Sequence, residues 1–322
     1  MPPITLNVNT FLGTLTNLVA YSQVADVAQR GSINRLVASC QNISVPNGDG
    51  KVIRHAGLPA VSNLSGTSSL LTNTPPVDTG EQYIPVTEYK VIAMTINNYL
   101  LRGAFVDENQ MANFIAYLMK TMEVAKEAYI YKALVANIDA YAPTQATQTV
   151  TVNLIDMTGL VDPAQMQQAN TYNTNAIVKA MIKVLKEMGA PTDDFNDLGV
   201  EEIIDNESLK LIINSRFDVD MLTDTFATLF NSGKLSEAQR WSETIDIPEG
   251  QLTTNPTTTI GWLCDREKFQ FGYFYQVATS FFDGSTLDQR NWLHFAYYLD
   301  SVDVLPCVKF IADYTITPAA LQ

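Results

Sequence analysis

The side chains best suited to chemistry are few and scattered. Two histidines occur in 322 residues, His55 and His294, and neither has another His or a Cys at the spacing of a zinc site. His55 is expected at the surface, and His294, within an aromatic run, as a hydrogen-bonded packing residue. Three cysteines, Cys40, Cys264 and Cys307, lie far apart with no CxxC, which reads as reduced, partly buried thiols. No GxSxG, HExxH, phosphate-loop or GxGxxG pattern is present. The densest cluster of charge is Asp193-Asp194, Asp197, Glu201-Glu202, Asp205 and Glu207. Clustered carboxylates suit hard cations such as Ca²⁺ or Mg²⁺, so Asp193, Asp194 and Asp197 are the candidate ligands. Their spacing is not that of an EF-hand loop, and a solvated acidic surface is the simpler reading. Lys179, Lys183 and Lys186 share a face of the preceding segment and are placed to pair with the run, locally or across a subunit boundary. No catalytic residue and no cofactor is assigned; a metal-dependent enzyme built on the acidic run stays as an alternative.

The charge balance excludes other classes. With 20 basic against 34 acidic residues the formal net charge is −14, and the basic residues form no cluster. Binding to nucleic acid by counterion release needs a basic patch, so sequence-specific nucleic-acid binding is not expected. From Trp262 onward aromatics are abundant (Phe269, Phe271, Tyr273, Phe274, Tyr275, Phe281, Phe282, Trp292, Phe295), with few basic residues between them. This reads as a packed aromatic core with an interface, against a base-stacking platform. No apolar run approaches the roughly 18 residues of a membrane span. The first residues show no basic segment leading into an apolar block, so no signal peptide is expected. The glycosylation-like triplets at Asn42, Asn63 and Asn206 then read as chance matches.

The elements that would position these groups follow from periodicity. Residues 1–50 read as an arm with short helices rather than a core, Phe11, Leu15 and Leu18 giving one short amphipathic turn. Residues 51–85 cannot bury themselves: the stretch is rich in Gly, Pro, Ser, Thr and Asn, with strand-like segments opening it at 51–55 and closing it from Tyr83 to Ile96. Connections are typically about 4–6 residues, so a two-stranded hairpin with a loose tip is expected, and such a hairpin needs a neighbour to lie on. Asp107 opens a helix through Tyr141, with Ile115, Leu118, Met119, Met122, Ala125, Tyr129, Ala133 and Ala136 as its apolar stripe, and Glu123 and Glu127, near Lys126 and Lys132, on a solvated face. Residues 142–173 read as polar and turn-rich with a strand over Thr149–Leu154. A helix spans 176–188 and ends at Gly189. Ser208–Asn214 is a buried strand or short helix, Met221–Phe230 a helix closed by Gly233, and Thr259–Cys264 a strand followed by a turn or helix start at 265–268. Alternation over 292–299 predicts a strand covered on both faces, with Pro306 separating it from Cys307–Ala312.

This order of elements resembles the Hong Kong 97-type major capsid protein of tailed bacteriophages. The most similar stretches are Ile260-Gly-Trp-Leu-Cys-Asp-Arg-Glu-Lys-Phe-Gln-Phe-Gly-Tyr and Asn291-Trp-Leu-His-Phe-Ala-Tyr-Tyr-Leu-Asp through Ile311, which match the family's closing pattern of strand, Asp turn, long strand and short strand. The resemblance implies an α+β capsid fold with an N-terminal arm (1–50), an extended loop (51–90), a peripheral domain (91–145 and 289–322) with spine helix 107–141, and an axial α/β domain (146–288), with 291–311 returning to the peripheral sheet. It also implies a structural role. Copies of the chain form hexamers and pentamers of an icosahedral or prolate shell, assembled in the bacterial cytoplasm and enclosing double-stranded DNA without reading its sequence. Scaffolding, portal and other virion proteins are the implied partners, the scaffold being separate or an arm trimmed before this sequence begins; no membrane is involved. Lys51, Arg54, Tyr83, Lys90, Glu123 and Glu127 are the expected intersubunit contacts. Some relatives join Lys to Asn covalently with the help of a Glu. Lys51 and Lys90 lie in or beside the loop, but no partner is identifiable, and cross-linking is not expected. An encapsulin-like nanocompartment shell and a tail-tube or sheath subunit are the alternatives.

Overall fold

The computed structural model describes residues 34–42, 50–59, 75–86, 88–97, 108–220 and 242–316. The turn at Phe11–Leu18, the loop tip, the Asp107 cap and the helix expected over Met221–Phe230 lie outside them. The chain divides into two compact units, one of residues 1–49, 85–133 and 271–298, the other of 50–84, 134–270 and 299–322.

The second unit is built on a five-stranded mixed sheet. Its strands are β4 (Thr149–Ile155), β5 (Leu209–Asn214), β6 (Glu243–Ile247), β7 (Thr259–Asp265) and β10 (Cys307–Ile316), in the order β4-β10-β7-β5-β6. The β10–β4 and β5–β6 pairs are parallel and the β10–β7 and β5–β7 pairs antiparallel. Every residue of β5 is buried, as expected of a strand covered on both faces. The run Leu-Lys-Leu-Ile-Ile-Asn admitted strand or helix; its β-branched pair and its place beside β7 make it a strand. Lys210 is fully buried within it, its Nζ donating to the Arg266 carbonyl at 2.9 Å.

The helix over this sheet starts earlier than its apolar pattern indicates. It runs Pro163–Met188, so the segment 163–173, expected as polar and turn-rich, is helical. Asp162 caps it by accepting from the Ala164 N–H at 3.0 Å, and Pro163 holds the first turn. Its first half is mostly polar and 163–168 are exposed, which hid it from a periodicity argument. Ile177, Met181, Val184, Leu185 and Met188 bury against Val152, Leu154, Leu211, Ile213 and Phe310. Burying each such side chain stabilises by about 1.5–3 kcal/mol. Asn173 closes the joint, exchanging 2.7 and 3.0 Å hydrogen bonds with the main chain of Ile155.

The first unit holds a three-stranded sheet, β3-β9-β8, formed by β3 (Glu88–Asn97), β9 (Asp288–Ser301) and β8 (Phe269–Asp283). β3 and β9 are antiparallel with register from Glu88↔Tyr297 to Asn97↔Asp288. The two strands expected to return together are therefore divided, β9 to this sheet and β10 to the other. Residues 295–298 of β9 are buried, while Trp292 and His294 are half-buried, so only the middle of the strand is covered on both faces. The ring of Tyr298 lies where a Cβ on Gly272 would stand, 2.5–2.7 Å away, so the glycine makes room for a buried tyrosine. A short helix, Arg35–Cys40, buries Leu36, Val37 and Cys40, and Gln41 pairs with Phe271. That part of the arm is core and not loose chain, because three apolar side chains fall on one turn.

The long helix spans Glu108–Ala140, 33 residues or about 50 Å at 1.5 Å per residue. Its buried row is Phe114, Met122, Lys126, Ile130, Leu134 and Ile138, an i+4 row beside the expected stripe. Of that stripe Met122 is buried, but Ala125, Tyr129 and Ala136 are exposed, and the side chains of Ile115 and Met119 lie outside the described residues. Lys126 is the cause of the mismatch. It occupies the row, its stem buried and its ammonium 5.2 Å from the centre of the Tyr273 ring. All three cysteines are free and buried.

Gly261 tests the packing of the five-stranded sheet. A Cβ at this position would run into the main chain of Ile212 and Ile213 on the neighbouring strand. Gly261→Ala is expected to destabilise the subunit by about 1–3 kcal/mol, read as a lower urea midpoint. An unchanged midpoint would contradict the close approach.

Candidate assembly surfaces

The expected contact residues sit on two surfaces. Strands β1 (Gly50–His55) and β2 (Gly80–Pro85) form a two-stranded sheet, the hairpin expected for the extended loop. Arg54 lies opposite Glu81, and the Gly57 N–H bonds the Val77 carbonyl at 2.9 Å, so the strands run antiparallel. Alternation divides its side chains. Lys51, Ile53, Gln82 and Ile84 turn inward; Val52, Arg54, Glu81 and Tyr83 are exposed.

The inward set anchors the root of the hairpin. Lys51 Nζ donates to Gln270 Oε1 at 2.6 Å. Burial pulls its ammonium below its ordinary value, partly opposed by Glu267. The Gln82 amide donates to the Ser301 carbonyl at 2.8 Å and accepts from the Asp303 N–H at 2.9 Å. His55, expected at the surface, is half-buried with its imidazole against Gly80. Among the described residues the outward face has no such anchors. The Arg54–Glu81 pair, 3.6 Å apart, is 82% and 66% exposed and contributes about 0–1 kcal/mol. Val52 and Tyr83 are about half exposed.

Lys90, Glu123 and Glu127 belong to the other unit. Lys90 Nζ pairs with Glu88 at 2.8 Å and stands 5.7 Å from the centre of the Tyr129 ring. The Glu88 hydrogen bond raises its ammonium above the ordinary value. Tyr129 meets Phe295 and Tyr297 edge-on at 6.1 and 6.2 Å. Glu123 and Glu127 are exposed on the long helix, as expected.

The acidic run is not a uniformly solvated surface. Asp193 and Asp194 are exposed, but Asp197 folds inward to Lys268. The two side chains lie 2.6 Å apart and are 9% and 0% exposed. Tyr141 OH donates to both Asp197 oxygens at 2.9 and 3.0 Å, the Thr144 N–H adds 3.3 Å, and the Lys268 ammonium lies 4.9 Å from the Tyr141 ring centre. A buried charge persists only when paired and hydrogen-bonded, and here every partner is present. Among the described residues no group of three or more His, Cys, Asp or Glu side chains gathers as a metal would require. Lys183 reaches Glu187 on its own helix, not the acidic run.

Two further carboxylates serve the same body. Burial pushes Asp139 up, but hydrogen bonds from the Thr253 and Thr254 N–H groups and the Thr253 hydroxyl, each 2.8 Å, outweigh it and hold the carboxyl below its ordinary value. Burial pushes Glu202 above its ordinary value, against a hydrogen bond from Asn196. Sequence reasoning missed the Lys268–Asp197–Tyr141 cluster, since its members are 56 and 71 residues apart.

The mixed helix-and-sheet architecture, with its 33-residue helix, is that of the Hong Kong 97-type capsid fold. Solved phage heads agree. The chain is similar to the capsid structure of Staphylococcus phage Andhra, with 9% identity, TM-score 0.64, and coverage of 87% of this chain and 84% of that one. It is also similar to the capsid structure of Cyanophage P-SCSP1u, with 10% identity, TM-score 0.54, and 86% and 87% coverage. A third similarity is to the head structure of Helicobacter pylori bacteriophage KHP40, with 8% identity, TM-score 0.53, and 88% and 92% coverage. No curated protein sequence matches. The sequence profile described as Phi29-like phage major capsid protein matches residues 62–311. The chain belongs to that family. It is a structural protein of the phage capsid, built to assemble into a shell, and neither the nanocompartment nor the tail-tube alternative is favoured.

Two outcomes test this body. Lys268→Met is expected to cost roughly 3–5 kcal/mol by stranding a buried carboxylate, and Lys268→Met with Asp197→Asn to recover most of it; equal loss in both would contradict the pairing. Because folding raises the Glu202 value, the folded state binds its proton more readily. This group therefore favours folding below the unfolded value of about 4.3, and that contribution is lost as pH rises through the folded value. Glu202→Gln should match the parent near pH 4 and exceed its urea midpoint at pH 7. A gap independent of pH would contradict it.

Proposed function

We propose that copies of this chain close hexamers and pentamers into an icosahedral or prolate shell around phage double-stranded DNA, each β1–β2 hairpin lying over the adjacent subunit. In this reading residues 1–50 are the arm and 51–90 the extended loop. Arg54 and Tyr83 meet a neighbour directly. Lys51 acts from inside, fixing the root from which they project, while Lys90, Glu123 and Glu127 offer charge on the peripheral surface. Assembly takes place in the bacterial cytoplasm with a scaffolding protein, and the shell then receives portal and other virion proteins.

The observation that carries the reading is the hairpin itself. Its root is held by hydrogen bonds, and its outward face exposes Val52 and Tyr83. Two strands alone are marginal in water, so the hairpin is completed by what covers it. Interfaces of roughly 1,200–2,000 Å² repeated around closed rings suffice for a stable container. A net charge of −14 keeps DNA from adhering to the wall.

Tyr83→Ala combined with Arg54→Ala tests this. The unassembled subunit should keep its thermal midpoint, since exposed substitutions fall within about ±0.5 kcal/mol. The yield of closed particles in sedimentation should fall severalfold. Full particle yield would contradict a neighbour contact at these residues.

A further inference from the structure

Cys264 and Cys307 are distant in the sequence and face each other in the fold. β7 and β10 pair antiparallel, with Cys264 opposite Cys307. One step along the ladder the Asp265 N–H bonds the Pro306 carbonyl at 3.0 Å. Hydrogen-bonded and non-hydrogen-bonded pairs alternate along such a ladder, so the cysteines form a non-hydrogen-bonded pair. Their Cα atoms then stand about 4.5 Å apart, with both side chains on one face. A disulfide needs Cα atoms roughly 4.4–6.8 Å apart, and this pair falls in that range. Both side chains are fully buried. Cys40, the third cysteine, lies on a short helix of the other unit.

The surroundings add charge and an approach. Cys264 is also aligned with Lys210 of β5, so a buried lysine and two thiols form one row across three strands. Burial pushes the Cys264 thiol up and Cys307 adds to this, while Lys210 pulls the other way. Cys307 lies against the Tyr141 hydroxyl, and Tyr141 lines an open cavity of about 420 Å³ with Thr144, Asp197 and Ser301. A small reagent in that cavity is one side chain away from Cys307.

We propose that Cys264 and Cys307 are a redox modification site, a cross-strand dithiol that hydrogen peroxide closes to a disulfide, tying β10 to β7 in the middle of the five-stranded sheet. Its timing rests on the shell reading: the thiols stay reduced while subunits assemble in a cytoplasm, and the virion then meets oxidising surroundings outside it. One thiolate attacks a peroxide oxygen and the O–O bond breaks. The thiol's proton goes to the departing hydroxide, leaving water and a sulfenic acid. The second thiol attacks that sulfur, the S–O bond breaks and a second water leaves. Two thiols lose two electrons in all, and one peroxide becomes two waters. Burial slows the first step, so the pair closes over the life of the particle and not during assembly.

Full-length chain purified under reduction and then exposed to hydrogen peroxide tests the site. On unfolding and alkylation, free thiols should fall from three per chain to one, and a linked Cys264–Cys307 peptide should appear. Cys40→Ala should fall from two thiols to none. The urea midpoint of the oxidised chain should rise by on the order of 1 M, a rise that reduction reverses and Cys264→Ala abolishes. Particles assembled under reduction should lose the same two thiols when exposed. Three thiols remaining in the folded, treated chain or in treated particles overturn the inference. A disulfide that joins Cys40 or two chains overturns it as well, as does a linked peptide with no rise in midpoint. Failure of the parental chain to form particles, with the linked peptide present in the subunit, overturns the shell reading and supports the site.

Discussion

Every buried or interfacial strand must satisfy its main-chain donors and acceptors, and this subunit does so unevenly. The five-stranded sheet is fully buried at its centre, with all of β5 buried between β7 and β6. Among the described residues, the hairpin and the distal half of β8 have edges with no further strand beside them, and both expose apolar side chains. In a monomer built to stay alone that is a hazard, since bare edges recruit other chains. In a capsid subunit such edges are available for assembly, and the proposed function assigns the hairpin's to a neighbouring copy.

Rigidity in the body comes from polar contacts made where the dielectric is low. Lys268, Asp197 and Tyr141 join the acidic segment to the turn before β8 and to the residue that follows the long helix. Asp139, two residues earlier, caps the Thr253–Thr254 turn through three hydrogen bonds. Such clusters are strong only when complete, which makes them suited to holding a geometry. Gln82 and Lys51 extend the same logic to the root of the hairpin.

Much of this was legible in the residue pattern. The polar, Gly- and Pro-rich stretch between two strand-like ends announced the hairpin, and an unbroken run from Glu108 to Ala140 announced the helix. Alternation placed β9, and the order of elements carried the fold. What failed had physical causes. Lys126 sits in the buried row of the helix, so the apolar stripe was read one position away. The first half of the helix Pro163–Met188 is held by its cap and has no apolar stripe. Asp197 is indistinguishable in sequence from Asp193 and Asp194, and only the fold brings Lys268 to it. Contacts between subunits leave a weaker trace still, because an interface side chain in an isolated chain looks like any exposed one.

The central claim is that this chain is a shell subunit whose hairpin lies over a neighbouring copy. Electron microscopy of the purified chain, alone and co-expressed with a candidate scaffolding protein, tests it most directly. The account predicts closed particles of uniform diameter under at least one of these conditions. Filaments, or small monodisperse oligomers under both, would contradict it.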